Sequence, residues 1–257
     1  MKIGRWRTLS NGRTLVTDIV TLANRMPMAP LFRDLDLSEL DALRRRVRPR
    51  LSWTVLMMKA YSQVAIRNPA LRQIYTPLPF QHFYEHPSNV CMVTITREEN
   101  GEPRLFFARF HSPEKYSLID LQKSYEHFRR APVQDIKQYR HQINFARLPV
   151  LLRKPLWWLM NSLWPRKRAQ HMGTFGMSIS RFKETIGTLH LGAATTILGY
   201  DLFPKNGQCR ITLTFDHRVL DGKPAVDVLE DFYQALVNEI TEEVKKLVAR
   251  SESKLAA

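Results

Sequence analysis

Cysteine is scarce in this chain: Cys91 and Cys209 are the only two in 257 residues. Two thiols so far apart make neither a disulfide framework nor a metal-ligand set, and a reducing compartment is the simpler setting. Long apolar runs are missing as well. No stretch reaches the roughly 18 uncharged apolar residues of a membrane-spanning helix. The opening segment Met1-Lys2-Ile3-Gly4-Arg5-Trp6-Arg7 carries charge with no apolar run behind it, which argues against a secretory signal. There is no internal repeat and no low-complexity linker. Acidic residues are outnumbered, 24 against 39 Lys and Arg, for a net charge of +15. Such an excess attracts anions: nucleic acid, anionic lipid, phosphorylated cofactors or an acidic protein. No zinc-finger, homeodomain or RNA-binding pattern accompanies it, which argues against nucleic acid.

What is present is a foldable chain. Hydrophobic residues make up 44%, and the length is enough for a substantial core. Apolar spacing predicts a helix over residues 13–25, broken by Met26-Pro27-Met28-Ala29-Pro30. A strand is expected over 31–37 and a helix from Ser38, with Ser38 as its cap and Asp41 three residues on. Ser52 opens another helix that stops before Pro69. Residues 89–96 and 104–110 read as a hairpin across Asn100-Gly101. Residues 117–130 are helical, 173–180 and 209–216 extended, and 224–248 a long C-terminal helix. Helices and strands mix without βαβ alternation, so the class is α+β, a mixed sheet covered by helices.

The chemistry concentrates near Asp216-His217-Arg218-Val219-Leu220-Asp221-Gly222. In the strand before it, Ile211, Leu213 and Phe215 are expected to face the core, and Thr212, Thr214 and Asp216 the other side. His217 then sits at a strand end beside a polar turn, rigidly held yet able to reach a cleft. An imidazole titrating near neutrality can take a proton from a thiol or hydroxyl. From the residues alone, a structural histidine remains the commoner outcome.

The segment Phe215 to Gly222 resembles the Asp-His-Arg-x-x-Asp-Gly signature of dihydrolipoamide acyltransferases, the core subunits of 2-oxoacid dehydrogenase complexes, and the similar His-x-x-x-Asp-Gly element of chloramphenicol acetyltransferases. Three further segments resemble the same family in the same order: Met26-Pro27-Met28-Ala29-Pro30 with the strand after it; Leu51-Ser52-Trp53-Thr54 through Lys59-Ala60 to Asn68-Pro69-Ala70-Leu71; and Gly173-Thr174-Phe175-Gly176-Met177-Ser178. The resemblance spans nearly the whole chain and implies a chloramphenicol acetyltransferase-like fold in one catalytic domain, residues 1–257, assembled as a homotrimer.

It also implies roles. His217 is the general base that activates a thiol, and Ser178 the hydroxyl that stabilises the tetrahedral oxyanion. Asp221 holds the catalytic loop by pairing with an arginine, for which Arg13 is the candidate. Arg218 and Gly222 support the loop, Gly222 through a tight backbone turn. Histidine and serine come from neighbouring subunits. The implied substrate is coenzyme A as an acyl thioester, with an acyl carrier protein as the alternative carrier suited to the basic surface. No metal and no covalently bound lipoyl group are implied.

Three departures stand out. No lipoyl or subunit-binding segment precedes the domain in this sequence. Residues 250–257 read as a polar, flexible tail rather than the apolar tail that joins trimers into shells. Residues 135–172 are a family-atypical insertion, expected to be helical. Within it, residues 148–168 interleave tryptophans and apolar residues with basic clusters, as a helix on an anionic membrane would. The segment also suits a roof over an acyl tunnel, or a helical hairpin packed on the domain. The location implied is cytoplasmic, with a possible peripheral contact to the inner face of a membrane. The competing functional readings are a non-enzymatic scaffold of the same fold and a membrane-associated binding module.

Overall fold

The computed structural model describes residues 9–99, 101–179, 193–202 and 207–255. The N-terminal segment, Asn100 of the expected turn and Ser180 at the expected strand end lie outside them.

Six strands form one mixed sheet. They are β1 (Met28–Asp36), β4 (Val90–Glu99), β5 (Glu102–His111), β6 (Phe175–Ile179), β7 (Thr196–Leu202) and β8 (Gln208–Asp216), in the order β1-β8-β7-β6-β4-β5. The pairs β4/β6 and β6/β7 are parallel and the other three antiparallel. A separate hairpin joins β2 (Gln73–Thr76) to β3 (His82–Glu85). The turn between β4 and β5 has Gly101 at φ +78°, a left-handed conformation glycine adopts without steric cost.

Both sheet faces are covered. On one, Cys91, Val93, Phe175, Met177, Leu198, Leu213 and Phe215 pack in a large core with α3 (Trp53–Arg67), α4 (Leu118–Arg130) and α8 (Gly222–Ala235). On the other, Met92 and Phe107 meet α1 (Asn11–Ala23) and the insertion. Double coverage corrects one sequence expectation: Thr212, Thr214 and Asp216 are buried as thoroughly as Ile211, Leu213 and Phe215.

The insertion consists of α5 (Lys137–Ala146), α6 (Val150–Ser162) and α7 (Pro165–Met172). Helix α5 runs along the edge strand β5. Gln142 accepts from the Phe107 N–H at 3.0 Å and donates to the Phe107 carbonyl at 2.8 Å; Gln138 does the same for Arg109 at 2.8 and 3.1 Å. The two glutamines thus satisfy backbone groups that an open sheet edge would leave free. On α6, Arg153 and the Trp157 indole N–H both donate to Asp18 of α1, the latter at 3.1 Å. On α7, Arg168 is fully buried. Two of the basic residues in 148–168 therefore point inward, which takes them from the surface an anionic membrane would meet. Leu151, Leu152 and Trp158 stay exposed. No helix among the described residues is long and apolar enough to cross a membrane.

Local chemistry adjusts several helix ends. Ser52 caps α3, its hydroxyl accepting from the Val55 N–H at 3.4 Å. Ser38 does not cap α2 (Ser38–Arg46). It is the first helical residue, its N–H taken by the Asp36 carboxylate at 3.0 Å, while Asp41 pairs with Arg44 and Arg45. The long C-terminal helix is interrupted by a π-turn at Leu236–Ile240 before α9 (Thr241–Leu255). Helix α9 carries the expected tail to Leu255, with Glu252 paired to Arg46.

Candidate active site

Strand β8 delivers the segment singled out in the sequence. Its last hydrogen bonds run from the Asp216 N–H to the Thr195 carbonyl at 2.8 Å and from the His217 N–H to the Pro27 carbonyl at 3.0 Å. The backbone of His217 is thus anchored to the turn that breaks α1 from β1. Its side chain is 52% exposed, with Nδ1 3.6 Å from the Asp221 carboxylate, itself 85% exposed. That separation is an ion-pair distance, too long for a hydrogen bond. Nε2 lies on the far side of the ring from that carboxylate.

Asp221 occupies the N-cap position of α8, but its side chain makes no capping bond. Arg13, the candidate partner, lies exposed at the start of α1, and among the described residues no ion pair joins it to Asp221. The carboxylate–guanidinium lock in this loop is a different one. Asp216, only 2% exposed, accepts from Arg218 Nε at 2.9 Å, from a terminal Arg218 nitrogen at 2.6 Å and from the Arg218 backbone N–H at 3.1 Å. The Arg218 guanidinium also lies 4.4 Å from the Tyr75 ring centre, in cation–π contact. Gly222 begins α8 with no positive φ, and nothing lies within 4 Å of where a Cβ would sit. Within one chain, nothing requires glycine there.

Beneath the loop is Arg168. It donates to the Ala193 carbonyl at 2.9 and 2.6 Å and to the Tyr75 carbonyl at 3.4 Å. Burial lowers its pKa to about 10, with Asp216 opposing the shift and Arg218 adding to it. In the sequence Arg168 is one more member of a basic run, with nothing to mark it out. The insertion therefore reaches the loop after β8 through a buried cation.

Ser178 lies on β6, buried at 7% exposure. It is level with Gly199 on β7, which is level with Thr212 on β8. Two strand spacings and the five residues from Thr212 to His217 put the serine roughly 20 Å from the histidine within one chain. One chain does not bring the two together.

The cysteines take no part. Both are free and buried; burial raises the pKa of Cys91 well above normal and pushes that of Cys209 up to about 12. Neither offers the thiolate that nucleophilic or metal-binding chemistry needs.

No sequence-family profile and no curated protein matches the chain. Solved structures do match its fold. A probable dihydrolipoamide acetyltransferase from Listeria monocytogenes 4b F2365 superposes with a TM-score of 0.62 at 14% identity, over 95% of each chain. A truncated catalytic core of the 2-oxoacid dehydrogenase complex from Thermoplasma acidophilum gives 0.63 at 14%, over 93% of this chain and 99% of that one. The Azotobacter vinelandii dihydrolipoamide acetyltransferase gives 0.61 at 15%, over 91% and 93%. In that last enzyme the catalytic roles investigated are those of a serine, a histidine and an asparagine four residues after the histidine. The fold of this chain is that of dihydrolipoamide acyltransferase catalytic cores, as the sequence resemblance implied.

Proposed function

We propose that the protein is an acyltransferase that moves an acyl group between a thioester, with coenzyme A as carrier, and a thiol or hydroxyl acceptor. The observation that carries this reading is His217. Its imidazole is exposed at the end of β8, its backbone is fixed to Pro27, and a carboxylate four residues on faces Nδ1. The Azotobacter enzyme offers the same spacing of histidine to polar partner, with asparagine in place of Asp221.

The chemistry follows from these groups. Nε2 of His217 takes the acceptor proton as the acceptor atom attacks the thioester carbonyl. The carbonyl electrons move onto oxygen, giving a tetrahedral oxyanion. A fixed hydroxyl donor stabilises that charge by ~3–4 kcal/mol in comparable sites, and Ser178 is the residue we assign to it. The carbonyl reforms, the carbon–sulfur bond to the carrier breaks, and the imidazolium returns the proton to the departing thiolate. Asp221, 3.6 Å from Nδ1, biases which nitrogen faces the substrate. The Asp216–Arg218 pair, seated on Tyr75 and Arg168, holds the loop.

The separation of His217 and Ser178 within one chain supports a site shared between neighbouring subunits, in a closed cyclic assembly such as a homotrimer. Thioester turnover by purified protein, followed through release of the coenzyme A thiol, tests the reading. Replacing His217 with alanine is expected to lower turnover by 10²–10⁴-fold with the fold and assembly unchanged. Full activity in that variant would sink the mechanism.

A further inference from the structure

A cavity of about 380 Å³ lies where the insertion closes over the sheet. Its walls are apolar: Leu15 and Ile19 from α1, Met92 and Phe107 from β4 and β5, Trp157 and Met160 from α6. The volume falls within the ordinary range for small-molecule sites. At roughly 30 Å³ per non-hydrogen atom it accommodates about a dozen of them.

Charge at one side of the cavity is of a single sign. Arg109 and Lys167 line it with His141 and His171, and there is no Asp or Glu among the described lining residues. Arg109 is fixed by neutral partners only. Its Nε points to the Gln138 amide oxygen at 3.4 Å, and one terminal nitrogen donates to the Gln170 carbonyl at 3.2 Å and to His171 Nδ1 at 2.8 Å. His171 accepts that bond as a neutral ring. Burial lowers its pKa, and Arg109, Lys167 and His141 add to the effect. No carboxylate among the described residues pairs with Arg109 or Lys167. Many other arginines of the chain, such as Arg44, Arg153, Arg210 and Arg218, do have acidic partners. A half-buried guanidinium, rigidly held beside an apolar cavity and lacking a counter-charge, is suited to a planar anion with an apolar body.

We infer that this cavity binds an aliphatic carboxylate of medium chain length, its head group on Arg109 and Lys167 and its chain between Leu15, Trp157 and Met160. Decanoate, with twelve non-hydrogen atoms, is the probe that matches the volume. None of the residues assigned to acyl transfer lines the cavity.

Isothermal titration of the full chain with decanoate, below its micelle concentration, tests the inference, with tryptophan emission as a second readout, since Trp157 and Trp164 line the cavity. One saturable site per chain is expected, with decanol binding at least tenfold more weakly. Met160→Trp, which fills the cavity, is expected to abolish decanoate binding. Arg109→Gln should weaken decanoate at least tenfold and leave decanol unchanged. Lys167→Gln alters an exposed side chain, so it keeps the fold, and should weaken decanoate several-fold. His217→Ala should bind decanoate like the wild type, which separates this site from the catalytic one. Absence of saturable binding up to about 1 mM, equal affinity for decanoate and decanol, or unchanged binding in Met160→Trp or in both charge variants would overturn it.

Discussion

At the scale of single residues, the site rests on groups whose environments differ sharply. His217 is exposed and reaches outward, whereas Ser178 is buried in the sheet. Alanine in place of Ser178 removes only a hydroxyl, so the fold should persist. Turnover is expected to fall by about 10²–10³-fold with little change in KM, as for other lost oxyanion donors. Steady-state kinetics on that variant checks the assignment. Asp216 has a different part. Removing its charge leaves Arg218 without its acidic partner and Arg168 without its opposing charge. Asp216→Asn is expected to cost about 3 kcal/mol, the lower end for breaking a buried pair, measured by urea denaturation. His217, Asp221 and Ser178 stand out in the sequence only through the motifs they share with the acyltransferase family; residue type and spacing alone favour a structural histidine and an ordinary strand serine. The Asp216–Arg218 lock was not. Strand alternation placed Asp216 on a polar face, and only the second covering layer turns that face into an interior.

At the scale of elements, the insertion is held by a few buried polar contacts. Asp18 on α1 satisfies both Arg153 and the Trp157 indole on α6. Asp18→Ala strands a buried cation and a buried N–H together, and should lower stability by about 3–5 kcal/mol. Limited proteolysis should then cut within the insertion before other regions. Gly173, which leads α7 into β6, has φ +84°, and an added Cβ would lie 2.8 Å from the Val90 carbonyl and 2.9 Å from that of Phe175. Gly173→Ala is expected to cost about 2 kcal/mol in strain, with a lower thermal midpoint and reduced turnover, because β6 carries Ser178. Long helices and the β4–β5 hairpin were readable from periodicity and turn residues. Strand β7 was not, because both its faces are buried and its Gly199 breaks any alternation. The four-residue strands β2 and β3 are too short to leave a pattern. The inward turn of Arg153 and Arg168 is invisible to a count of charges, which reads any basic cluster as surface.

At the scale of the whole molecule, protonation links stability to pH through histidine. Burial lowers the pKa values of His86, His111 and His171, and neighbouring cations add to each shift. A histidine whose folded pKa is depressed binds protons more readily when unfolded. Stability from these residues is therefore complete above the unfolded pKa near 6.5 and is lost as pH falls from there through the folded values. Denaturation midpoints should drop between about pH 7 and pH 5, and His86→Leu should flatten part of that slope. A flat profile across that range would contradict the assignment.

The larger claim at this scale is that the catalytic groups meet only between chains. Complementation measures it directly. His217→Ala and Ser178→Ala chains are each co-expressed alone and together, and turnover is compared at equal protein. If the site is shared, random mixing in a closed ring pairs an intact histidine with an intact serine at about a quarter of the interfaces. The mixture is then expected to recover roughly a quarter of wild-type turnover, well above either parent. If both groups act within one chain, every site in the mixture carries a defect. Turnover no greater than the average of the two parents, in mixed assemblies verified by mass, would contradict the account.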